Sequence, residues 1–511
     1  MDNAVMSRRI SSAAFVGRHD ELRRLNALLT SVMSDGIFAT VLVGGEAGVG
    51  KTRLLSEFRT SAEALGARYL AGGCVDLGEG ARPYDPLIAA LRPWLRSLDA
   101  DEFRRVVGPA RDEILRLVPD LAPASEGQVG IGPLTPSTQS LLFLNLLGLI
   151  ERLAAETPTV IALEDLHWAD RSTRDMLHFL VRNIGHGRVM LIGTYRTDEL
   201  NERHPLFELL AELQRTGRIE RLELTRFSRS EVNEQLAGIL GRPPSSPLVA
   251  RVHERGGGNP FFSEELLVTA ERGEDRLGMT LRDTLLARVG ALSVSSREVL
   301  RVVAVAGPSA QHDVLAGASR MPPDDLAGAL REAVDRHLLL TGDDEVMHFR
   351  HALVQEAVYD ELLPGERLAL HARIAEAVEE LRTSVDTDAS VASELAHHWY
   401  EARDARRALP ALLRAGQAAE RVFAFGNAFA HYHLALSLWP SASPDLDGIT
   451  RGELVTRTAE SAALSGAYDR AVDLAQGALI ETAEAERDPV EVGLQLERLD
   501  QIGRASCRER V

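Results

Sequence analysis

Thr40-Val41-Leu42-Val43-Gly44-Gly45-Glu46-Ala47-Gly48-Val49-Gly50-Lys51-Thr52 decides how this chain folds. Its first four residues are apolar or β-branched and run into glycine, which predicts a short buried strand. From Gly45 the wording fits G-x-x-x-x-G-K-[ST], the P-loop pattern. Arg53 to Ala64 follows, with Leu54, Leu55 and Phe58 at helical spacing. Strand, glycine loop and helix are the context the motif requires. Glycines at 45, 48 and 50 let backbone N–H groups converge on phosphate oxygens, and the helix start adds its positive end. Lys51 offers a compact ammonium to the β- and γ-phosphates, and the Thr52 hydroxyl offers a ligand to Mg2+. The expected cofactors are ATP or ADP with Mg2+. Lys51 is also the sole lysine among 57 basic residues. An arginine bias this complete looks like a genome-wide nucleotide bias, so the position that escapes it is one that needs an ammonium.

Two more strands follow. Thr159 to Leu163 is apolar and ends in Glu164-Asp165-Leu166-His167-Trp168-Ala169-Asp170. Carboxylates at the C-terminal end of a parallel strand lie beside a P-loop, where Glu164 and Asp165 can hold a Mg2+ shell and orient an attacking water. Val189 to Ile192 ends in Gly193-Thr194-Tyr195-Arg196. Read alone, Arg196 is either a γ-phosphate sensor or a surface arginine. Cys74 and Trp168 read as packing residues.

In order and wording these elements resemble the STAND-class, AAA+-related ATPases, in particular the large LuxR-type (MalT-like) regulators. Phe15-Val16-Gly17-Arg18 looks like that family's opening motif, whose backbone at Val16, Gly17 and Arg18 would contact adenine. Leu163 to Asp170 looks like its Walker B segment and Gly193 to Arg196 like its sensor strand. Gly258-Asn259-Pro260-Phe261-Phe262 looks like the lid motif whose proline, Pro260, would pack on adenine. Phe349-Arg350-His351-Ala352-Leu353 looks like the winged-helix motif whose histidine, His351, would reach the β-phosphate in an ADP-closed state. Without the resemblance, Pro260 reads as a loop end and His351 as a histidine at a strand end. The likeness runs from about Ala14 to Trp439. It departs at Glu164, where such ATPases carry aspartate, so the division of roles between Glu164 and Asp165 stays open. LuxR-type members also run several hundred residues further, to a DNA-binding helix-turn-helix.

The remaining chain reads as helical. Residues 99–140 form an insertion of two helical stretches and a Gly/Pro/Ser-rich loop, Pro123 to Pro136. Helices continue through 226–283 and from Leu285 to Ala304, and Leu338 to Phe349 reads as a hairpin turning at Gly342-Asp343-Asp344. From about 391 the chain is alanine-rich. Ala428 to Ala471 and Ala435 to Ala478 share one offset of 43, against about 34 for a tetratricopeptide repeat (TPR), the loop from Pro440 to Gly448 absorbing the excess. The expected fold is thus an α/β P-loop NTPase domain (1–225), a helical lid (226–283), a winged-helix domain (284–365) and an all-α, incomplete TPR-like region (366–502). Gly503 to Val511, basic and without an apolar stripe, reads as a non-native tail.

Composition bounds the function. At roughly 150 residues per domain, 511 residues suggest about three domains. A net charge of −18 argues against a bulk nucleic-acid or anionic-membrane binder. Two cysteines, Cys74 and Cys507, form no disulfide framework. No apolar run reaches the ~18 residues of a membrane span, and the N-terminus lacks the apolar stretch of a signal peptide. A cytoplasmic chain is expected. It reads as a signal-transduction switch of a LuxR-type transcriptional regulator, with slow ATP hydrolysis between ADP-closed and ATP-open states. A small-molecule or protein inducer would bind the helical repeats, the open state would self-associate, and DNA would be met only through a C-terminal domain outside this sequence. The alternatives are a turnover P-loop ATPase or phosphotransferase, and an ATPase–TPR scaffold without DNA binding.

Overall fold

The computed structural model describes residues 12, 14–75, 82–121, 135–201, 203–215, 219–271, 281–307, 309–342, 346–381, 388–442 and 449–484. The tail at 503–511, Cys507, the turn at 343–345 and most of the loops expected at 123–136 and 440–448 lie outside them.

The chain opens with α1 (His19–Asp35), β1 (Ala39–Gly45), α2 (Lys51–Ala64) and β2 (Arg68–Gly73). Next come α3 (Asp85–Ser97), α4 (Ala100–Val107), α5 (Arg111–Leu117) and α6 (Pro136–Glu156). Asp99 starts α4 with a reciprocal capping box to Glu102, and Pro136 is the first residue of α6. β3 (Thr159–Glu164), α7 (Arg171–Asn183), β4 (Val189–Arg196), α8 (Pro205–Arg215) and β5 (Ile219–Glu223) complete the α/β part. The strands form one sheet in the order β2-β3-β4-β1-β5, and β1 pairs in parallel with both β4 and β5. Every residue of β1 and β4 is buried, as expected of parallel strands covered on both faces. On one face Val41, Val43, Val160, Ala162, Met190 and Ile192 pack with Leu25 and Leu29 of α1 and Leu54 and Phe58 of α2.

The helical stretch after β5 comprises α9 (Arg229–Leu240), α10 (Ser246–Gly256), α11 (Pro260–Glu271) and α12 (Leu281–Gly290). Ser228 and Glu231 cap α9 reciprocally. Then follow α13 (Val294–Ala306), β6 (Ser309–Gln311), α14 (His312–Ser319), α15 (Pro323–Asp335), β7 (Leu339–Thr341), β8 (Val346–Phe349) and α16 (Ala352–Glu361). The three short strands form an antiparallel sheet in the order β6-β8-β7. The expected hairpin is present, and Gly342 N–H donates to Val346 O across its base at 2.7 Å.

The C-terminal part is helical: α17 (Pro364–Leu381), α18 (Ala389–Glu401), α19 (Ala405–Arg421), α20 (Phe425–Ala442), α21 (Arg451–Leu464) and α22 (Tyr468–Glu484). From α18 on, each helix packs against the next. Ala428 of α20 and Ala471 of α22 are both fully buried, so the first position of the 43-residue offset serves the same purpose twice. α20 runs through Pro440 to Ala442, three residues into the expected loop.

The described residues fall into two compact units. One gathers those of 1–70, 154–167 and 185–364, and the other those of 71–153, 168–184 and 365–511. No helix among the described residues is long and apolar enough to cross a membrane.

Candidate functional site

The first unit brings the P-loop, the ends of β3 and β4, the start of α11 and the start of α16 together. β1 delivers the chain into a turn whose Gly48 and Gly50 have φ of +74° and +104°, a conformation that favours glycine. Gly50 is also the N-cap of α2, so that helix points its free N–H groups back at the loop. Lys51 is buried, and its Nζ donates to Gly45 O at 2.7 Å and Glu46 O at 3.0 Å. Burial holds its ammonium below the usual lysine range, opposed mainly by the Asp165 carboxylate. A buried cation held by two neutral loop carbonyls is suited to exchange them for an anion.

Glu164 closes β3, and its Oε2 accepts from Thr52 Oγ1 at 3.0 Å. Asp165 follows with φ of +58°, and its N–H donates to Thr194 Oγ1 on β4 at 2.9 Å. This bond fixes the turn at the strand end and sets the two carboxylates side by side. Burial raises both above the usual carboxylate range; Asp165 raises Glu164 further, while Arg196 and Lys51 pull Asp165 down. A hydroxyl and two carboxylates are oxygen donors that fit a hard divalent cation such as Mg2+, whose charge would favour their ionised form. The donor set therefore suits the cofactor expected from the sequence.

Arg196 ends β4 and is almost fully buried. Its NH1 lies 2.7 Å from Glu356 Oε1 of α16, and it also pairs with Glu199 just beyond the strand. His167 sits between Asp165 and Glu199, with ring nitrogens 3.9 Å and 3.6 Å from their carboxylates. Burial and the Arg196 and Lys51 charges push its pKa down to about 3, so the ring is neutral.

The start of α11 roofs the P-loop. Asn259 Nδ2 donates to Ala47 O at 2.8 Å, and Phe261 N–H donates to Gly48 O at 3.3 Å. Asn259 Oδ1 meanwhile accepts from Phe261 N and Phe262 N at 3.1 and 3.3 Å, capping α11. A Cβ at Gly48 would stand 3.0 Å from both Asn259 Oδ1 and Phe261 Cβ, so only glycine fits under the roof without a shift. The His351 ring lies 4.1 Å from that of Phe261, centroid to centroid, and burial pushes its pKa down to about 3.

Lys51, Thr52, Glu164, Asp165 and Arg196 thus converge, and His351 joins them through Phe261. Pro260 is the first residue of α11, with its carbonyl accepting from Gln235 Nε2 at 2.9 Å. Val16 packs with Phe227, Val232, Leu236 and Val249 beside α9 and α10. Gly17 has φ of +62°. Arg18 reaches Thr225 O and stacks 5.0 Å over Phe227. Asp170, the last residue of the acidic segment, caps α7 by accepting from Thr173 N at 3.0 Å and belongs to the second unit.

Asn259, Phe261 and Thr194 lie within the motifs quoted above but were given no role of their own, and Glu356 was not singled out at all. Asn259 had a signal, an N-cap residue type directly before a helix-starting proline. Glu356 had none, being one glutamate within a helix.

Residues 14–192 match the protein family described as AAA ATPase domain. The α/β part is accordingly an AAA-type ATPase domain with a parallel sheet, followed by helical regions. An uncharacterized protein of Rhizobium meliloti (strain 1021) is 27% identical over 446 residues, 79% of this chain and 40% of that protein. The chain thus spans 40% of the length of that curated relative. Among solved structures, a Signal Transduction ATPase with Numerous Domains (STAND) protein with a tetratricopeptide repeat sensor from Pyrococcus horikoshii is 15% identical, with a TM-score of 0.47. That match covers 99% of this chain and 78% of that one. The Thermotoga maritima RuvB Holliday junction branch migration motor is 14% identical, with a TM-score of 0.27 over 67% of this chain and 96% of that one.

Proposed function

We propose that this chain is the ATP-binding switch of a STAND-class, LuxR-type signal-transduction regulator. The observation that carries the reading is the double closure over the P-loop. Asn259 and Phe261 hold its tip while Glu356 of α16 occupies Arg196. An arginine at that strand end is placed to meet a γ-phosphate, and here an intramolecular carboxylate has it instead. This is the arrangement a resting switch needs.

In this reading, Lys51 would turn from Gly45 O and Glu46 O to the β- and γ-phosphates. Thr52, Glu164 and Asp165 would hold Mg2+, and the two carboxylates would share the orienting of water between them. Val16, Gly17, Arg18 and Pro260 border the adenine, and His351 senses the β-phosphate side as a neutral ring. Bound Mg2+ and nucleotide would supply a Lewis acid and a cleavable anhydride. The segment from α13 to α16 acts as a winged-helix latch. The helices from α17 onward act as TPR-like repeats that receive a small-molecule or protein inducer. Opening frees Arg196, allows exchange and self-association, and slow hydrolysis resets the state. DNA contact belongs to a C-terminal domain outside these 511 residues, and the compartment is the cytoplasm.

The test is to denature the purified chain and identify the nucleotide released. ADP in wild type and none in Lys51→Ala is the expected result; equal nucleotide in both sinks the reading. Phosphate release without inducer separates a switch from a turnover enzyme, whose rate would be on the order of 1 s⁻¹ or more.

A further inference from the structure

Outside the P-loop region, three histidines of the second unit gather between α17 and α18. His371 projects from α17, and His397 and His398 from adjacent positions of α18. Their ring centroids are 5.6 Å (His371–His397), 5.1 Å (His371–His398) and 5.2 Å (His397–His398) apart. One ligand nitrogen from each ring lies within 4.8 Å of the other two. His371 and His398 are buried, and their Nδ1 atoms are 2.9 Å apart. His397 is half-buried and opens the cluster to solvent.

A hydrogen bond between His371 and His398 accounts for one edge of this triangle. The third ring stands at nearly the same distance from both. A shared tetrahedral ion would hold three rings at this spacing, with the His371 and His398 nitrogens opening from 2.9 Å to about 3.4 Å. With metal–nitrogen bonds of roughly 2.1 Å, each imidazole centroid lies about 3.2 Å from the ion and neighbouring centroids about 5.2 Å apart. Burial depresses the basicity of His371 and His398, assisted by their histidine neighbours and by Arg367 and Arg82, respectively. Neutral imidazoles keep the lone pair a metal requires. The two arginines work against a cation; Arg82 is paired with Glu394 at 2.8 Å, which weakens its field.

We propose that His371, His397 and His398 form a three-histidine site for a late first-row divalent ion of the zinc and cobalt class, tying α17 to α18. Three nitrogen donors exclude Mg2+ and Ca2+, which take oxygen. The fourth position is left to water or an incoming ligand.

The experiment uses the tag-free full-length chain, stripped with a chelator and titrated with Co2+ without nucleotide or Mg2+. Visible d–d bands of a tetrahedral site, saturating at one ion per chain and erased by Zn2+, are expected. Thr52→Val, which removes a donor of the P-loop cation site, leaves these bands unchanged. His397→Ala is half-exposed and should fold; His371→Gln is the second probe, keeping a polar side chain in the buried position. Each loses affinity by more than the roughly 10–100-fold typical of losing an outer-shell partner. Absence of bound Co2+ in wild type, or retention of the bands by either folded histidine variant, overturns the site.

Discussion

Arg196 NH1 and Glu356 Oε1 are 2.7 Å apart, and they join the end of a central strand to a helix that begins more than 150 residues later in the chain. The arginine side chain is 6% exposed and the glutamate 42%. The arginine is held in the interior, and the glutamate is part-exposed with its pairing oxygen Oε1 turned inward.

Glu356→Gln keeps the shape of that side chain and removes its charge. The glutamate side chain is 42% exposed, and solvent screening holds the pair to about 1 kcal/mol, a factor of roughly five. Basal phosphate release and loss of bound nucleotide should both speed up by about that factor. Unchanged rates in stopped-flow nucleotide release would mean the pair holds nothing closed.

Lys51 sits in a pocket of two carbonyls at 2.7 and 3.0 Å, sized for an ammonium. Lys51→Arg should fail nearly as badly as Lys51→Ala. Removing a buried charge partner costs about 2–5 kcal/mol, so nucleotide affinity should drop at least about 30-fold in Lys51→Ala; Lys51→Arg keeps the charge but places a larger planar group between the two carbonyls. An arginine variant that binds a fluorescent nucleotide like wild type would show that charge alone suffices.

Asn259 has two tasks that substitution can separate. Asn259→Asp keeps the cap on α11 but replaces the amide donor to Ala47 O with an acceptor. Asn259→Ala loses both, and a lost cap costs about 1 kcal/mol. Thermal unfolding should therefore fall mainly in the alanine variant, while nucleotide release accelerates in both. Equal release rates in wild type and the aspartate variant would show that the Ala47 contact is incidental.

Asp170 caps α7 from a buried position that raises its pKa to about 6, with the Thr173 hydroxyl and N–H pulling it back down. Its folded pKa exceeds the unfolded value of about 4, so the folded chain binds the extra proton between those limits. Stability from this residue falls as pH rises from about 4 to 6. Asp170→Asn caps equally well and does not titrate. Urea melts at pH 5 and 7.5 should show the variant at least as stable as wild type at the higher pH, with a smaller difference between the two. A variant clearly less stable at pH 7.5 would show that the ionised carboxylate is favourable there.

The three strands that carry the site were legible because β1, β3 and β4 are interior strands. Buried on both faces, they must be apolar throughout, and they end where the glycines and carboxylates begin. β2 and β5 were not legible. They are the edge strands, and Ile219-Glu220-Arg221-Leu222-Glu223 exposes charge as an edge does. Pro260 was read from its neighbours as a loop end, whereas it starts α11, and the contact of Asn259 with Ala47 depends on a fold spanning more than 200 residues. The histidine cluster has no spacing to read, since His371 and His397 lie on different helices.

β1 carries the P-loop at its end, yet both its partners, β4 and β5, come far later in the chain. On the ribosome the strand emerges roughly 150 residues before β4, on the order of 10 s or more at ordinary synthesis rates. During that interval a bare apolar strand has no sheet to join. A rare-codon pause placed before residue 189 would lengthen the exposure, and one placed after residue 223 would not.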